Sequence, residues 1–404
     1  MKILFYNHTG KVSGAERVLL MILGGLDRGR FDPVAMCPTD GRLTQMVSEL
    51  GLKTVSIQPL EARFTMRVDR TAKYVASFGR LIRAARTAVI NEAPDIIHAN
   101  SIRAGLVMSA ATFGLSVPVI WHVHDLLPRH PLSTAIRLFA CVLRRNCIVA
   151  VSQAVATRFK GRLARAFHGR VQTIHNAVDV ECFCPDPQSR KETRCALGLE
   201  AKTLVGIVGQ LTPRKGQLEL IEAFAELSRA APDTVLLVVG EPLFNRDGEY
   251  SHSLVRATER AGAADRIRFL GPREDIPAIM RALDLLVVNS RVEPFGLTVI
   301  EAMASDTPVL ATAVDGINEI VRHGENGWLV SARDRLALVE ALITLVRDRK
   351  LRERLSREGR SDVVRRFSTD RFLNQIEAVY RDMLAPIVHS AGRARNSRIE
   401  LSAD

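Results

Sequence analysis

The chain has 404 residues, 47% hydrophobic and 25% charged, which excludes a disordered polymer and exceeds one ordinary core, so two domains are expected. No stretch of about 18 consecutive apolar residues occurs, which excludes a membrane-spanning helix, and six cysteines without repeated C-x-x-C pairs exclude a disulfide framework. The net charge of +12 sits in one half: residues 1–185 carry 24 Lys and Arg against 12 Asp and Glu, while the remainder balances 32 against 32.

From the start of the chain, MKILFYNHTG places one Lys before a short apolar run broken by Asn7 and His8, and reads as a first strand rather than a signal peptide. Strand-type runs then alternate with helical stretches. In the first half they are KILFYNH, DPVAMCP, KTVSIQ, DIIHAN, PVIWHVHD, NCIVAVS and VQTIHN. In the second they are TLVGIVGQ, TVLLVVGE, RIRFLG, LDLLVVNS, TPVLATAV and GWLVSA. Several are near-continuous apolar runs, as in strands covered on both faces by helices. Helical segments such as Gly216–Arg229 and Arg333–Arg347 separate them, and this alternation predicts an α/β protein of doubly wound parallel sheets. The pattern breaks near Cys182–Lys202, where CFCPDPQSRKETRCALGLEAK carries two prolines and no strand periodicity. Residues 1–185 are therefore expected to form one Rossmann-like domain and 186–375 a second, with 376–404 a returning helix and frayed tail. Cys182 and Cys184, with His175 nearby, fit no zinc spacing, so the cysteines read as reduced and structural and no metal is expected.

The strongest chemical signal is Glu293-Pro294-Phe295-Gly296-Leu297-Thr298-Val299-Ile300-Glu301, which follows the buried run LDLLVVNS. A ligand is expected at the carboxyl end of such a strand, over the next helix start. Gly296 lets backbone amides approach a ligand, and Glu293 and Glu301 are suited to accept hydrogen bonds from sugar hydroxyls. The second signal is GQLTPRKG, residues 209–216, where Arg214 and Lys215 stand at a strand end and helix start. Adjacent cations there suit a departing diphosphate, the plain alternative being a solvated pair. In the first half, Ser13-Gly14-Ala15-Glu16 opens a helix after the first strand. Along PVIWHVHD, alternation puts His122 and His124 on the face opposite Trp121 and Val123 and does not choose between the two histidines. Asn100, Ser152 and Asn176 read as capping residues at strand ends.

EPFGLTVIEA closely resembles the signature of the family 4 retaining glycosyltransferases, also called glycosyl transferases group 1, of the GT-B architecture. The resemblance extends through SGAERVLL, DIIHAN, HVHD, VSQAV, IHNAVDVECFCP, GQLTPRKG, IRFLG and GINEIVRHGENGWLV. It implies two Rossmann-like domains facing each other across a cleft and a nucleotide-sugar as co-substrate. Glu301 would then hold the ribose, Glu293 hydroxyls of the transferred sugar, and the amides of Phe295, Gly296 and Leu297 would line the sugar and diphosphate. Lys215 would lie on the diphosphate, and Arg214 would supply the charge of the family Arg replaced here by Gln210. Gly14 would let the backbone face the diphosphate, and His124, chosen over His122 on this resemblance alone, would reach the transferred sugar. With no strict D-x-D, transfer is expected to need no metal and no other cofactor.

The expected reaction moves a sugar to a hydroxyl of a lipid-linked or polysaccharide acceptor in cell-envelope or exopolysaccharide synthesis. The alternatives are a non-catalytic nucleotide-sugar-binding protein and an enzyme of the same architecture with a small-molecule acceptor. The basic half predicts an anionic partner. Arg63, Arg67, Arg70, Lys73, Arg80, Arg83 and Arg86 run beside Phe64, Met66, Tyr74, Phe78, Leu81 and Ile82, a pattern suited to an anionic bilayer, or equally to one core face and one solvated face. Arg158-Phe159-Lys160-Gly161-Arg162-Leu163, followed by Arg165, adds to it. A cytoplasmic protein, peripheral on the inner face of the plasma membrane, is expected. Nucleic acid is not, since no RNP-type, zinc-finger or helix-turn-helix signature is present.

Overall fold

The computed structural model describes residues 1–60, 68–128, 130–142, 146–160, 170–242 and 248–384. All thirteen expected apolar runs form strands. β1 (Lys2–Tyr6), β2 (Asp32–Cys37), β3 (Lys53–Ser56), β4 (Ile96–Ala99), β5 (Val119–Val123), β6 (Asn146–Ala150) and β7 (Arg170–Thr173) make one sheet. β8 (Thr203–Val208), β9 (Thr234–Val239), β10 (Ile267–Gly271), β11 (Leu285–Val288), β12 (Val309–Thr312) and β13 (Trp328–Val330) make the other. Every pairing is parallel. The central strands β4, β5, β9 and β11 are buried along their whole length, which is why they read as unbroken apolar runs.

The strand orders are β3-β2-β1-β4-β5-β6-β7 and β10-β9-β8-β11-β12-β13. In each sheet the winding reverses once, between β1 and β4 and between β8 and β11. At such a point the loops leaving two neighbouring strands diverge to opposite faces and open a crevice at the carboxyl ends. Three of the loops that carry the sequence signals leave β1, β8 and β11 at these reversals, and HVHD leaves β5, the neighbour of β4.

Helices cover both faces of each sheet. One face of the first sheet packs Ile3, Phe5, Ala35 and Val149 on the helix Gly14–Gly25 and on the last helix, Thr369–Leu384. That last helix contributes Phe372, Leu373, Ile376, Val379 and Tyr380, so the return to the first domain begins well before residue 376. A bridge from Val178 to Ser368 marks where the chain crosses back.

The helix Val68–Glu92 corrects the expectation of a bilayer-facing stripe. Leu81 is buried, and Phe78 and Ile82 pack on the core of the first domain, because the helix must cover that face of the sheet. Arg80 and Arg83 point outward, and Arg86 donates to the carbonyls of Ala111 and Phe113. Arg63, Phe64, Met66 and Arg67 lie outside the described residues, as do the side chains of Arg70, Lys73 and Tyr74. Phe159 is buried as well, whereas Gly161–Leu163 and Arg165 lie outside the described residues. No helix among the described residues is long and apolar enough to cross a membrane.

Phe372 is only 2% exposed, so the returning helix is anchored by burial. Phe372→Ala is expected to destabilise the protein by about 3–5 kcal/mol. Urea unfolding followed by fluorescence checks this, and an unchanged midpoint would show that the helix is not part of the first domain's core.

Candidate functional site

The second domain supplies the charged half of the site. After β8, a turn at Pro213–Lys215 ends in Gly216, which takes φ 69°. No side chain fits there: a Cβ would lie 2.2 Å from the Asn289 carbonyl oxygen at the end of β11. Asn289 Nδ2 donates to the Gly216 carbonyl at 3.0 Å, and this close approach brings the two diverging loops together. Lys215 Nζ consequently reaches Glu293 Oε2 at 2.6 Å, with Ser290 Oγ donating to the same oxygen at 3.0 Å. The lysine and glutamate side chains are 17% and 11% exposed. Burial pushes the Glu293 carboxyl up, but Lys215, Arg214 and Ser290 outweigh it and hold the group below the usual carboxylate range. Arg214 is exposed, and its carbonyl accepts from the Arg291 amide at 2.8 Å.

The helix Leu297–Ala304 starts at Gly296, and no side chain caps its first amides. The Phe295 ring turns away into the core, 5.8 Å from both His175 and Phe367, so only its backbone is available to a ligand. Glu301 lies in this helix, and its carboxylate takes part in no hydrogen bond among the described residues. Burial holds its pKa above the ordinary value, with Arg17 and Lys215 pulling the other way. A half-buried carboxylate in that state calls for hydrogen-bond donors from a ligand.

The first domain supplies neutral polar groups. Ser13 caps the helix Gly14–Gly25 in a capping box with Glu16. A Cβ on Gly14 would lie 3.0 Å from Leu297 Cδ1, so the two helix starts meet across the interdomain crevice. Asn7 and Asn100, at the ends of β1 and β4, continue the network. Asn7 Nδ2 donates to Glu16 at 3.2 Å, and Asn100 Nδ2 donates to Asn7 Oδ1 at 3.1 Å and to the Ala15 carbonyl at 3.2 Å. His124 Nε2 then meets Asn100 Oδ1 at 3.0 Å. Because Asn100 uses its nitrogen on Asn7 and Ala15, its oxygen faces His124 and Nε2 carries the proton. Nδ1 of His124 is left as an acceptor without a partner among the described residues. Burial lowers the His124 pKa to about 3, so the ring is neutral. His122, by contrast, is fully buried and its Nδ1 lies 3.2 Å from His98 Nε2.

Residues 12–182 match the family model for Glycosyltransferase Family 4, and residues 189–362 match the model for Glycosyl transferases group 1. The lipopolysaccharide core biosynthesis mannosyltransferase LpsB of Rhizobium meliloti (strain 1021) is 32% identical over 246 residues, 60% of this chain and 67% of that protein. The chain belongs to the family 4 glycosyltransferases. It is an enzyme of this retaining, group 1 family with the GT-B fold. The crystal structure of Anabaena Alr3699/HepE in complex with UDP and glucose matches at TM-score 0.79 and 28% identity, across 94% of this chain and 99% of that one. The UDP-Gal:alpha-D-GlcNAc-diphosphoundecaprenol alpha-1,3-galactosyltransferase of Escherichia coli is 25% identical over 392 residues, 92% of this chain and 95% of that protein. The chain spans about half the length of several further curated relatives.

Of the residues singled out in this glycosyltransferase's sequence, Lys215, Glu293, Gly296, Leu297, Glu301 and Gly14 meet at the interdomain crevice, and His124 joins them through Asn100 and Asn7. Lys215 and Glu293 bond each other, a pairing the sequence did not announce. Asn100 caps nothing; Ser101 caps the helix that follows, accepting from the Ala104 amide. Asn100 reads from the sequence only as a capping residue, and Asn7 and Arg17 carry no expected role there. Arg17 alone left a signal, standing three residues after Gly14 on the same helix face.

The pair also sets a pH dependence. Since the Glu293 pKa is depressed, its contribution to stability is full above the ordinary carboxylate pKa and is lost as pH falls through the lower folded value. Lys215→Met removes the cation, leaving burial to dominate. Its cost is expected to be small near pH 4 and to grow to about 3 kcal/mol near pH 7. Denaturant midpoints at the two pH values check this, and a pH-independent cost would count against the pair.

Proposed function

We propose that the protein transfers a sugar, with retention at the anomeric carbon, from a UDP-sugar to a hydroxyl of a lipid-linked or polysaccharide acceptor in envelope or exopolysaccharide synthesis. The observation that carries the reading is the Lys215–Glu293 pair beside an uncapped helix start, with the unpartnered Glu301 in that same helix. Support for the donor comes from the UDP complex of the Anabaena protein, and for the acceptor class from the names of the Rhizobium and Escherichia coli relatives.

In this reading Glu301 accepts hydrogen bonds from the ribose hydroxyls. On donor arrival Lys215 leaves Glu293 for the diphosphate, which also lies against the amides of Gly296 and Leu297 and near Gly14. Arg214 adds charge from the rim. Glu293, released from its cation, accepts from hydroxyls of the transferred sugar, and His124 accepts from another through Nδ1. The acceptor hydroxyl attacks from the face the diphosphate leaves, and a departing phosphate oxygen takes its proton. Charge on the leaving group is met by fixed side chains and helix-end amides, so chelators are expected to leave turnover unchanged.

Residues 1–185 take the acceptor and 186–375 the donor. The outward Arg80 and Arg83 give the first domain an electrostatic contact with an anionic surface, consistent with a cytoplasmic protein at the inner face of the membrane. Lys215→Ala and Glu301→Ala are each expected to lower kcat/KM by about 10²–10³. A panel of nucleotide-sugars scored by thermal shift should show strong stabilisation by one UDP-sugar. Near-normal turnover in both variants, or stabilisation by none of the panel, would overturn the assignment.

A further inference from the structure

Three sequence motifs play no part in the donor site as described: VSQAV at Ser152, IHNAV at His175 and GINEIV at Glu319. In the folded chain they converge. Glu319 lies in the short helix Ile317–Ile320 of the second domain and uses both carboxylate oxygens on the first. Its Oε2 accepts from the Gln153 amide at 2.8 Å and from His175 Nε2 at 2.7 Å, and its Oε1 accepts from the Ala154 amide at 2.9 Å. Next to it, Ser152 Oγ donates to the carbonyl of Pro294 at 2.6 Å. The His175 ring lies 5.8 Å from that of Phe295.

These contacts fall on the donor loop. Pro294 and Phe295 sit between Glu293 and Gly296, and the second domain holds the loop from its other side. There the Glu293 amide donates to Asp315 Oδ2 at 3.1 Å and the Gly316 amide donates to the Glu293 carbonyl at 3.0 Å. The loop is thus fixed by its own domain, with Phe367 against the Phe295 ring, and also by residues across the interdomain boundary.

We propose that Ser152, His175 and Glu319 are positioning residues of an interdomain brace, which orders the loop Glu293–Leu297 when the two domains are together and releases it when they part. None of the three touches the proposed ligand; they act through Pro294 and Phe295. Charge-assisted bonds to two amides and an imidazole make the Glu319 carboxylate the strongest member. Lys215 and Glu301 stand on the second domain outside these contacts, so without the brace the nucleotide keeps both and loses only the fixed placement of the Gly296 and Leu297 amides. Alignment of the sugar by Glu293 and the loop amides needs the brace. Interdomain contact is thereby coupled to turnover more than to donor capture. This rests on the donor reading above for what the loop does.

Glu319→Ala tests it, with Glu319→Gln as a milder variant that keeps one acceptor oxygen and the side-chain volume. Hydrogen exchange by mass spectrometry in the full chain without nucleotide is expected to rise about tenfold in the Glu293–Leu297 loop and to stay unchanged in β8. In the assay with the UDP-sugar found by the panel, kcat is expected to fall by about 10²-fold for Glu319→Ala, less for Glu319→Gln, while the UDP dissociation constant changes by less than about threefold. Unchanged loop exchange would overturn the brace, as would UDP affinity falling in step with kcat. Should the wild-type protein bind no UDP, the functional reading fails, and the exchange comparison still decides the brace by itself.

Discussion

Lys215 and Glu293 belong to loops that leave neighbouring strands in opposite directions, and the second domain depends on their being held together there. The sheet supplies the opportunity, because its winding reverses between β8 and β11. Gly216 supplies the contact, since only a residue without a side chain admits the Asn289 carbonyl so closely. The ion pair then neutralises two charges that burial would make expensive singly. A ligand entering this crevice must replace what it breaks. An anion alone would take Lys215 and strand the Glu293 carboxylate, and hydroxyl groups alone would not draw the lysine away. A molecule with a diphosphate and adjacent hydroxyls satisfies both partners at once. The resting pair therefore favours an intact sugar nucleotide over either of its halves.

The first domain repeats the strand order with different chemistry at the reversal. Its groups are the amides of Asn7 and Asn100 and a neutral imidazole. Beneath them a buried row runs from Tyr380, whose hydroxyl lies 2.8 Å from His98 Nδ1, through His98 to His122. Burial lowers the pKa of all three histidines, to about 3 for His98 and His124. The row ties the last helix to β4 and β5, the strands that end in Asn100 and His124. Packing of a segment more than 250 residues away in sequence thus supports the polar end of the first sheet.

Legibility from the sequence followed the range of the interactions. The inner strands could be read because parallel strands buried on both faces leave near-continuous apolar runs, and exposed edge strands such as β3 from the alternation of strand and helix around them. The donor loop could be read because Glu293, Gly296 and Glu301 lie within a few residues of one another, on a strand–loop–helix unit. The partners that orient them could not. Asn100 meets Asn7 across 93 residues and Glu319 meets Gln153 across 166, and neither end carries a local pattern that names the other. The helix Val68–Glu92 shows a different limit. Amphipathicity fixes that one face is buried, not what buries it, and Phe78, Leu81 and Ile82 went to the protein's own core.

The division between charged and neutral halves also bears on where the acceptor's proton goes. A hydroxyl attacking an anomeric carbon needs a base close to the departing group, and a base is effective when its pKa lies near the working pH. His124, at about 3, is too weak to serve, and its Nε2 proton is already committed to Asn100. Glu293, paired with Lys215 at rest, is in the proposed complex taken up by hydroxyls of the transferred sugar. Once the sugar–phosphate bond begins to break, the phosphate oxygen gains charge on the same face, with Lys215 within reach to stabilise it. In the proposed reaction that oxygen is therefore the group best placed to take the proton, which follows the leaving group.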